Sequence, residues 1–234
     1  MRERLARRPE AIRAMFAGVA RRYDLLNRLL SLRRDVAWRR VLVAAAAAAP
    51  PGRVLDCATG TGDVVLAMAG DGHVGADFCL DMLALARRKS ISRGRRVAWV
   101  AADALALPFR DGAFAAVTVA FGIRNFADLP RGLAELRRVL GPGGVVAILE
   151  FQRPPHPAVR LFSRLWGRLV VTPLGRALSD DGAAYAYLPA SVEDFPDGRR
   201  LAAVLAEQGL EVIQSRQVSW GIAAVTVARR REVV

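Results

Sequence analysis

Residue types able to do chemistry gather between Asp56 and Asp103. Asp56 closes the apolar run Val54-Leu55, and a small-residue loop follows, ending in Gly60-Thr61-Gly62-Asp63. Glycines there let backbone approach a ligand closely and take positive φ. Strand, tight Gly loop and helix form the nucleotide-cradling unit of doubly wound α/β folds. The dinucleotide pattern G-x-G-x-x-G is incomplete, because Asp63-Val64-Val65 follows Gly62. An acid thus stands where a pyrophosphate needs backbone donors and no negative charge. Acids on both sides of the loop, Asp56 and Asp63, suit a cationic ligand instead.

Two further acids end apolar runs, Asp77 after Val74-Gly75-Ala76 and Asp103 after Val97–Ala102. Open α/β sheets bind ligands beyond the carboxyl ends of their strands. Asp77 lies about 20 residues past the loop, the spacing at which a carboxylate accepts ribose hydroxyls. The Asp103 carboxylate and the Ala104 N–H can take an adenine edge. Any one of these acids reads equally well as a helix N-cap or turn residue. The ordered set predicts a positively charged nucleoside across strands one to three, such as S-adenosylmethionine with its sulfonium and ammonium.

Other chemistries find little support. Of two histidines, His73 enters a strand as a structural residue and His156 sits in the rigid loop Pro154-Pro155-His156-Pro157. There is no G-x-S-x-G elbow and no metal-ligand spacing, so hydrolysis and metal catalysis are disfavoured and no metal is expected. Cys57 and Cys79 do not make a disulfide framework and are expected reduced and buried. Methyl transfer needs less machinery, since positioning an in-line nucleophile can supply roughly 7–11 kcal/mol.

The elements that must position these residues follow from periodicity. Ile12, Met15, Phe16, Val19, Tyr23, Leu26 and Leu30 recur at three- and four-residue steps, predicting a helix, interrupted or not, from Pro9 to about Leu32. A second helix, Asp35 to Ala49, stops at Pro50-Pro51-Gly52. Strands are expected at Arg53–Asp56, His73–Ala76, Val97–Ala101, Ala115–Ala120 and Val145–Glu150, with helices at Val64–Ala69, Met82–Lys89 and Arg131–Leu140. This alternation predicts a mostly parallel sheet. It breaks in the proline-rich stretch 152–196, with a helix near Val159–Leu169. A helix, Arg199–Gln208, and two antiparallel strands, Glu211–Gln217 and Ala223–Ala228, end the chain. The expected organisation is one domain over 1–234: a helical cap (1–50), a cofactor-binding core (51–151), an inserted cap (152–196) and a final helix with strand pair (197–234).

The 234 residues suffice for one α/β domain with a full core, and a net charge of +13 favours an anionic partner or an Arg-rich solvated surface. The charged N-terminal stretch argues against a secretory leader, and the longest apolar run, Val41–Ala49, is too short to span a bilayer. A protein of the cytoplasm, or of the inner face of the membrane, is expected.

Longer motifs are more specific. Met15-Phe16-x-x-x-Ala20-x-x-Tyr23-Asp24-Leu25-Leu26-Asn27-x-Leu29-Leu30-Ser31-Leu32, with Trp38-Arg39, resembles the N-terminal segment of the menaquinone/ubiquinone C-methyltransferase family of UbiE type. Phe121-Gly122-Ile123-Arg124-Asn125, Arg138-Val139-Leu140-x-Pro142-Gly143-Gly144, Leu149-Glu150-Phe151, Ala184-Tyr185-x-Tyr187-Leu188-Pro189-x-Ser191 and Phe195-Pro196 extend the resemblance to about Val227. It implies a class I S-adenosylmethionine methyltransferase fold, Rossmann-like, with a seven-stranded, mostly parallel sheet and an antiparallel final strand. It implies methylation of a polyprenyl quinol ring carbon, most often demethylmenaquinol to menaquinol. By position, Thr61, Asp77, Asp103 and Ala104 would contact the methyl donor, beside Asp56, Gly60 and Gly62 from the residue reading. Ala120 departs from the family's small hydroxyl residue before Phe-Gly, and Ala115-Ala116 from its usual acid after Phe114.

A quinol ring carbon becomes nucleophilic once its neighbouring hydroxyl loses a proton. Arg124, always protonated, is assigned to phenolate stabilisation, and its removal is expected to lower turnover while sparing cofactor affinity. Asn125 is assigned to orienting a quinol oxygen, and Tyr23 and Asp24, with Asn27, to a proton route. Val159–Val170, with Arg160, Arg164 and Arg168, reads as a basic amphipathic helix for an anionic membrane or as a pocket wall. An RNA or other small-molecule methyltransferase on this fold is the first alternative. It lacks a stacking platform and an Asn/Asp-Pro-Pro-Tyr-type motif, so nucleic acid is disfavoured as partner. A non-catalytic scaffold subunit is the second. The ring type, the tail length and the oligomeric state, a homodimer included, stay open.

Overall fold

The computed structural model describes residues 9–174 and 183–231. Three helices open the chain: α1 (Pro9–Val19), joined by a 3-10 turn (Ala20–Arg22) to α2 (Tyr23–Leu30), then α3 (Arg34–Ala46). The βα core follows as β1 (Val54–Cys57), β2 (His73–Asp77), α4 (Leu80–Ser92), β3 (Val97–Ala101), β4 (Phe114–Ala120), α5 (Leu129–Val139) and β5 (Leu140–Phe151). Then come α6 (Pro157–Trp166), a π-helical turn (Gly167–Val171), α7 (Ala183–Asp194), α8 (Gly198–Glu207), β6 (Leu210–Val218) and β7 (Ala223–Arg230).

One seven-stranded sheet runs in the order β3-β2-β1-β4-β5-β7-β6. The first five strands pair in parallel, and β7 pairs antiparallel with both β5 and β6. The order reverses between β1 and β4, which places a crevice beyond their carboxyl ends. Parallel strands covered on both faces read as continuous apolar runs, and β2 is buried at all its positions. One layer packs α5 and α8, through Leu133, Leu136, Leu201 and Leu205, against the sheet. The other carries α3, whose Trp38, Leu42 and Ala46 pack with Ala147, Leu149 and Val225. Thus α3 belongs to the sheet layer, and α1 and α2 are the helices free to cover the crevice. Helix α5 starts where Asp128 accepts the Arg131 N–H at 3.0 Å, with Pro130 in its first turn.

Two expectations change. The helix expected over Val64–Ala69 is only a single 3-10 turn, Val65–Ala67. Val64, Val65, Leu66 and Met68 are all buried, so this stretch has no polar face to offer solvent, and the chain must turn back at once into β2. Strand five, expected over Val145–Glu150, begins earlier: the Gly141-Pro142-Gly143-Gly144 stretch is absorbed into β5, where Leu140 already pairs with Phe114 ahead of an irregularity before Ala116. Part of the inserted stretch, 175–182, lies outside the described residues, as do the side chains of Tyr185 and Tyr187.

Candidate functional site

The crevice at the sheet's carboxyl rim holds a cavity of about 270 Å³. That is near the lower end of the roughly 300–1,000 Å³ of ligand pockets. Its floor is Cys57, Ala58 and Gly60 at the end of β1 and just beyond, Asp77 and Phe78 at the end of β2, Asp103, Ala104 and Leu105 after β3, and Ala120–Gly122 with Asn125 at the end of β4 and beyond. Its roof is Ile12, Arg13 and Phe16 of α1 and Tyr23 of α2.

Backbone geometry makes this floor. Ala58 and Phe121 both take positive φ, +54° and +58°, although neither is glycine. Such strain of order 1–3 kcal/mol per residue persists where surrounding structure imposes it, commonly at ligand sites. A Cβ on Gly122 would stand 2.5 Å from the Ala58 Cβ, so glycine is needed where the β1 and β4 loops meet. Gly62, at φ +82°, lies against Trp99, whose ring atom would be 2.5 Å from an added Cβ.

The two outer acids face the cavity. Asp77 is buried, and its Oδ2 and Oδ1 accept the Gly60 N–H at 2.7 Å and the Cys79 N–H at 2.9 Å. Each oxygen keeps a lone pair for a ligand hydroxyl. Burial pushes its pKa up, against the pull of those backbone donors. The exposed Asp103 accepts the Leu105 N–H at 2.9 Å, and the next residue, Ala104, lines the cavity. Asn125 also lines it, and its Oδ1 is buried without a partner among the described residues. A buried acceptor left bare beside a cavity is one that a ligand can satisfy. These groups fit a nucleoside with ribose hydroxyls and an adenine edge, plus a second polar guest.

The remaining expected residues are committed elsewhere. Asp56 does not line the cavity. Its carboxylate accepts the hydroxyls of Thr59 at 2.5 Å and Thr118 at 2.7 Å, so it braces the loop from beneath. Burial raises its pKa to about 6 against those hydrogen bonds. Asp63 does not line this cavity either. Burial raises its pKa, but the hydrogen bond and charge of Lys89, with Arg39 and Arg28, overcome that and leave it below the ordinary value. Neither acid flanking the loop lines the cavity. Thr61 donates its hydroxyl to Asp24 at 2.6 Å and accepts from Lys89 at 2.8 Å, so its side chain is already engaged by the protein. Asp24, tied to Thr61 and to Lys89 at 2.5 Å, is not poised to carry protons.

Arg124 is likewise withdrawn. Its guanidinium donates to Glu150 at 2.9 Å, the Phe121 carbonyl at 2.6 Å and the Ser191 hydroxyl at 3.2 Å, and the Arg124 and Glu150 side chains are only 8% and 3% exposed. Burial pushes the Glu150 pKa up, opposed by Arg124. Three sequence marks, Phe-Gly-Ile-Arg-Asn, Leu-Glu-Phe and the stretch ending in Ser191, thus meet in one network that ties α7 to the rim. Tyr23 does reach the cavity, beside Phe16 at 6.1 Å between ring centroids. Its phenol pKa is raised by burial, against the nearby Arg39 charge and a hydrogen bond with Asn27. His73 is structural, with its ring nitrogens bonded to Val54 N and Ala69 O. Arg13 at the mouth and the sole lysine, Lys89, were not singled out from sequence. Single-letter counts alone expose Lys89, because the chain has 34 Arg and one Lys.

Comparison with known proteins now bears on this cavity. Residues 4–230 match the model of the ubiE/COQ5 methyltransferase family. The chain is 50% identical over 220 residues to a demethylmenaquinone methyltransferase of Thermus thermophilus, covering 92% of this chain and 100% of that one. It is 45% identical to the demethylmenaquinone methyltransferase of Deinococcus radiodurans, over 95% of this chain and 93% of that one. In fold it is similar to a SAM-dependent methyltransferase of Thermotoga maritima, possibly acting on histamine nitrogen, with TM-score 0.63 at 19% identity, covering 93% and 100% of the two chains.

Proposed function

Because the chain belongs to the ubiE/COQ5 methyltransferase family, we propose that it methylates a ring carbon of a polyprenyl quinol with S-adenosylmethionine, converting demethylmenaquinol to menaquinol. The observation that carries this reading is the cavity itself. A hydroxyl-accepting carboxylate, an adenine-edge pair and a bare amide oxygen converge there under an apolar roof, in a chain half identical to a demethylmenaquinone methyltransferase.

When bound, S-adenosylmethionine supplies an electrophilic methyl group on a sulfonium. In this reading Asp77 accepts the ribose hydroxyls, and Asp103 with the Ala104 N–H holds the adenine edge. Gly60, with no side chain, lets the loop approach. Asn125 Oδ1 accepts a hydrogen bond from the quinol hydroxyl and orients the ring. Tyr23, kept neutral by burial, closes the roof as a donor. Arg13 at the mouth takes the electrostatic role first assigned to Arg124. Ile12, Phe16 and the Tyr23 ring exclude water from beneath the roof, which strengthens each of these interactions.

The isoprenoid tail of such a substrate belongs in a bilayer. No helix among the described residues is long and apolar enough to cross a membrane. On α6 and just beyond it, Leu161, Phe162, Leu165 and Leu169 are exposed, and Leu25 and Leu29 are exposed on α2. Trp166 joins these two regions through its indole N–H to the Leu30 carbonyl at 3.2 Å. Residues 152–174 contain no acid and four arginines. This supports peripheral docking on anionic lipid. Arg160 is partly committed to the Pro154 and Pro155 carbonyls at 3.2 Å, so charge reversal of Arg164 and Arg168 is the sharper test. Flotation with anionic vesicles should be lost in that double variant; wild-type protein that fails to float overturns the docking.

Incubation of pure protein with labelled methyl donor and short-tailed demethylmenaquinol should yield labelled menaquinol. Label appearing only in a benzoquinol would change the ring assignment. Calorimetry showing no uptake of S-adenosylmethionine or its demethylated product would overturn the reading.

A further inference from the structure

Lys89 is the only lysine in a chain with 34 arginines. It sits on α4, four-fifths buried, and does not itself line the cavity. Its ammonium meets Asp24 Oδ2 of α2 at 2.5 Å, Asp63 Oδ1 at 2.8 Å and the Thr61 hydroxyl at 2.8 Å. Three acceptors match the three N–H donors of an ammonium. The Thr61 hydroxyl in turn donates to Asp24, which closes the ring of contacts. Arg28, Arg39 and Arg93 stand farther from Asp63, at 3.7, 4.0 and 3.9 Å. A planar guanidinium cannot direct three donors into so compact a cluster, so arginine does not substitute here.

The cluster joins three pieces of chain: α4, the loop Thr61–Asp63 and the roof helix α2, which also meets the loop directly through Thr61–Asp24 and Arg28–Asp63. Tyr23, beside Asp24, lines the cavity, and its ring lies about van der Waals distance (4.0 Å) from where a Gly60 Cβ would stand. We propose that Lys89 is a positioning residue, a three-way clamp that holds the roof helix on the glycine loop and so sets Tyr23 over the bound donor. The proposal rests on the methyltransferase reading for its effect on the donor, but the clamp itself is a property of the free protein.

Amide hydrogen exchange on the full chain, with calorimetric binding of S-adenosylmethionine, tests it in Lys89→Arg, Lys89→Met and Asp24→Asn. Both Lys89 variants should speed exchange over Tyr23–Leu30 by about tenfold or more, the scale of one lost charge-assisted hydrogen bond. Exchange in β4 and β5 should stay at the wild-type rate, and donor affinity should fall by about tenfold. Asp24→Asn should loosen the same segment. Wild-type exchange and affinity in Lys89→Arg overturns the proposal, since any cation would then suffice. A uniform rise in exchange through the sheet also overturns it, since Lys89 would then serve general stability. If Lys89→Met does not fold, the other two variants decide. Wild-type protein that binds no donor would sink the functional reading instead, leaving the exchange result to judge the clamp.

Discussion

Asp56 and Glu150 stand one residue before the ends of β1 and β5; Asp77 ends β2 and Asp103 follows β3. All four stand at the same rim of the same sheet, yet they divide into two pairs. The inner pair is buried against the protein's own donors: Thr59 and Thr118 for Asp56, Arg124 for Glu150. The outer pair accepts only backbone N–H groups, two at Asp77 and one at Asp103, and still faces the cavity. A carboxylate at a strand end is thus a brace or a binder according to what covers it. Strand position alone does not distinguish the two.

Breaking the inner pair should cost stability first. Arg124→Met leaves Glu150 buried and uncompensated, and about 3–5 kcal/mol of stability should disappear. Adding Glu150→Gln should restore much of it in chemical denaturation. Full stability in the single variant would show that Arg124 is free for substrate after all.

The next effect is pH-dependent and also belongs to the inner pair. The folded-state pKa of Asp56 is raised from 3.8 to about 6 by burial. Its favourable contribution is therefore complete below pH 3.8 and is lost as pH rises through about 6. A shift of this size corresponds to roughly 3 kcal/mol. Relative to Asp56→Asn, wild-type stability should fall between about pH 4 and pH 7 and then level off. A flat difference across that window would mean that the carboxyl is solvated.

The outer pair should respond in binding more than in stability. Asp77→Ala should weaken S-adenosylmethionine by at least about tenfold, with a stability loss of about 1–3 kcal/mol from the stranded Gly60 and Cys79 N–H groups. Asp103→Ala, at an exposed site, should weaken the donor only a few-fold and leave stability within about 0.5 kcal/mol. Calorimetry and denaturant titration on the same samples separate the two quantities. An Asp103 variant that loses stability but keeps affinity would dissolve the division between binder and brace.

Strand, loop and helix succession was readable because parallel strands are continuous apolar runs bounded by Gly, Pro and Asp. The family was readable because its marks are long and specific. Less legible was the use of each polar side chain. Arg124, Asp24 and Thr61 looked catalytic or cofactor-binding from their neighbours in sequence, but Glu150, Lys89 and Ser191 are far away along the chain and adjacent only in space. The short turn after Gly62 was hidden too, since an all-apolar stretch has no periodicity to distinguish helix from buried turn.

Apolar patterning and motif spacing alone determined the alternating architecture, the rim on which acids stand and the family to which the chain belongs. These depend on local periodicity and on residue types in order, which a linear text preserves. Tertiary structure decided which of those acids face the cavity and which meet Thr or Arg, and that Lys89 bridges Asp24 and Asp63. Hydrogen-bond partners separated by tens of residues are chosen by packing, and packing is a property of the folded chain.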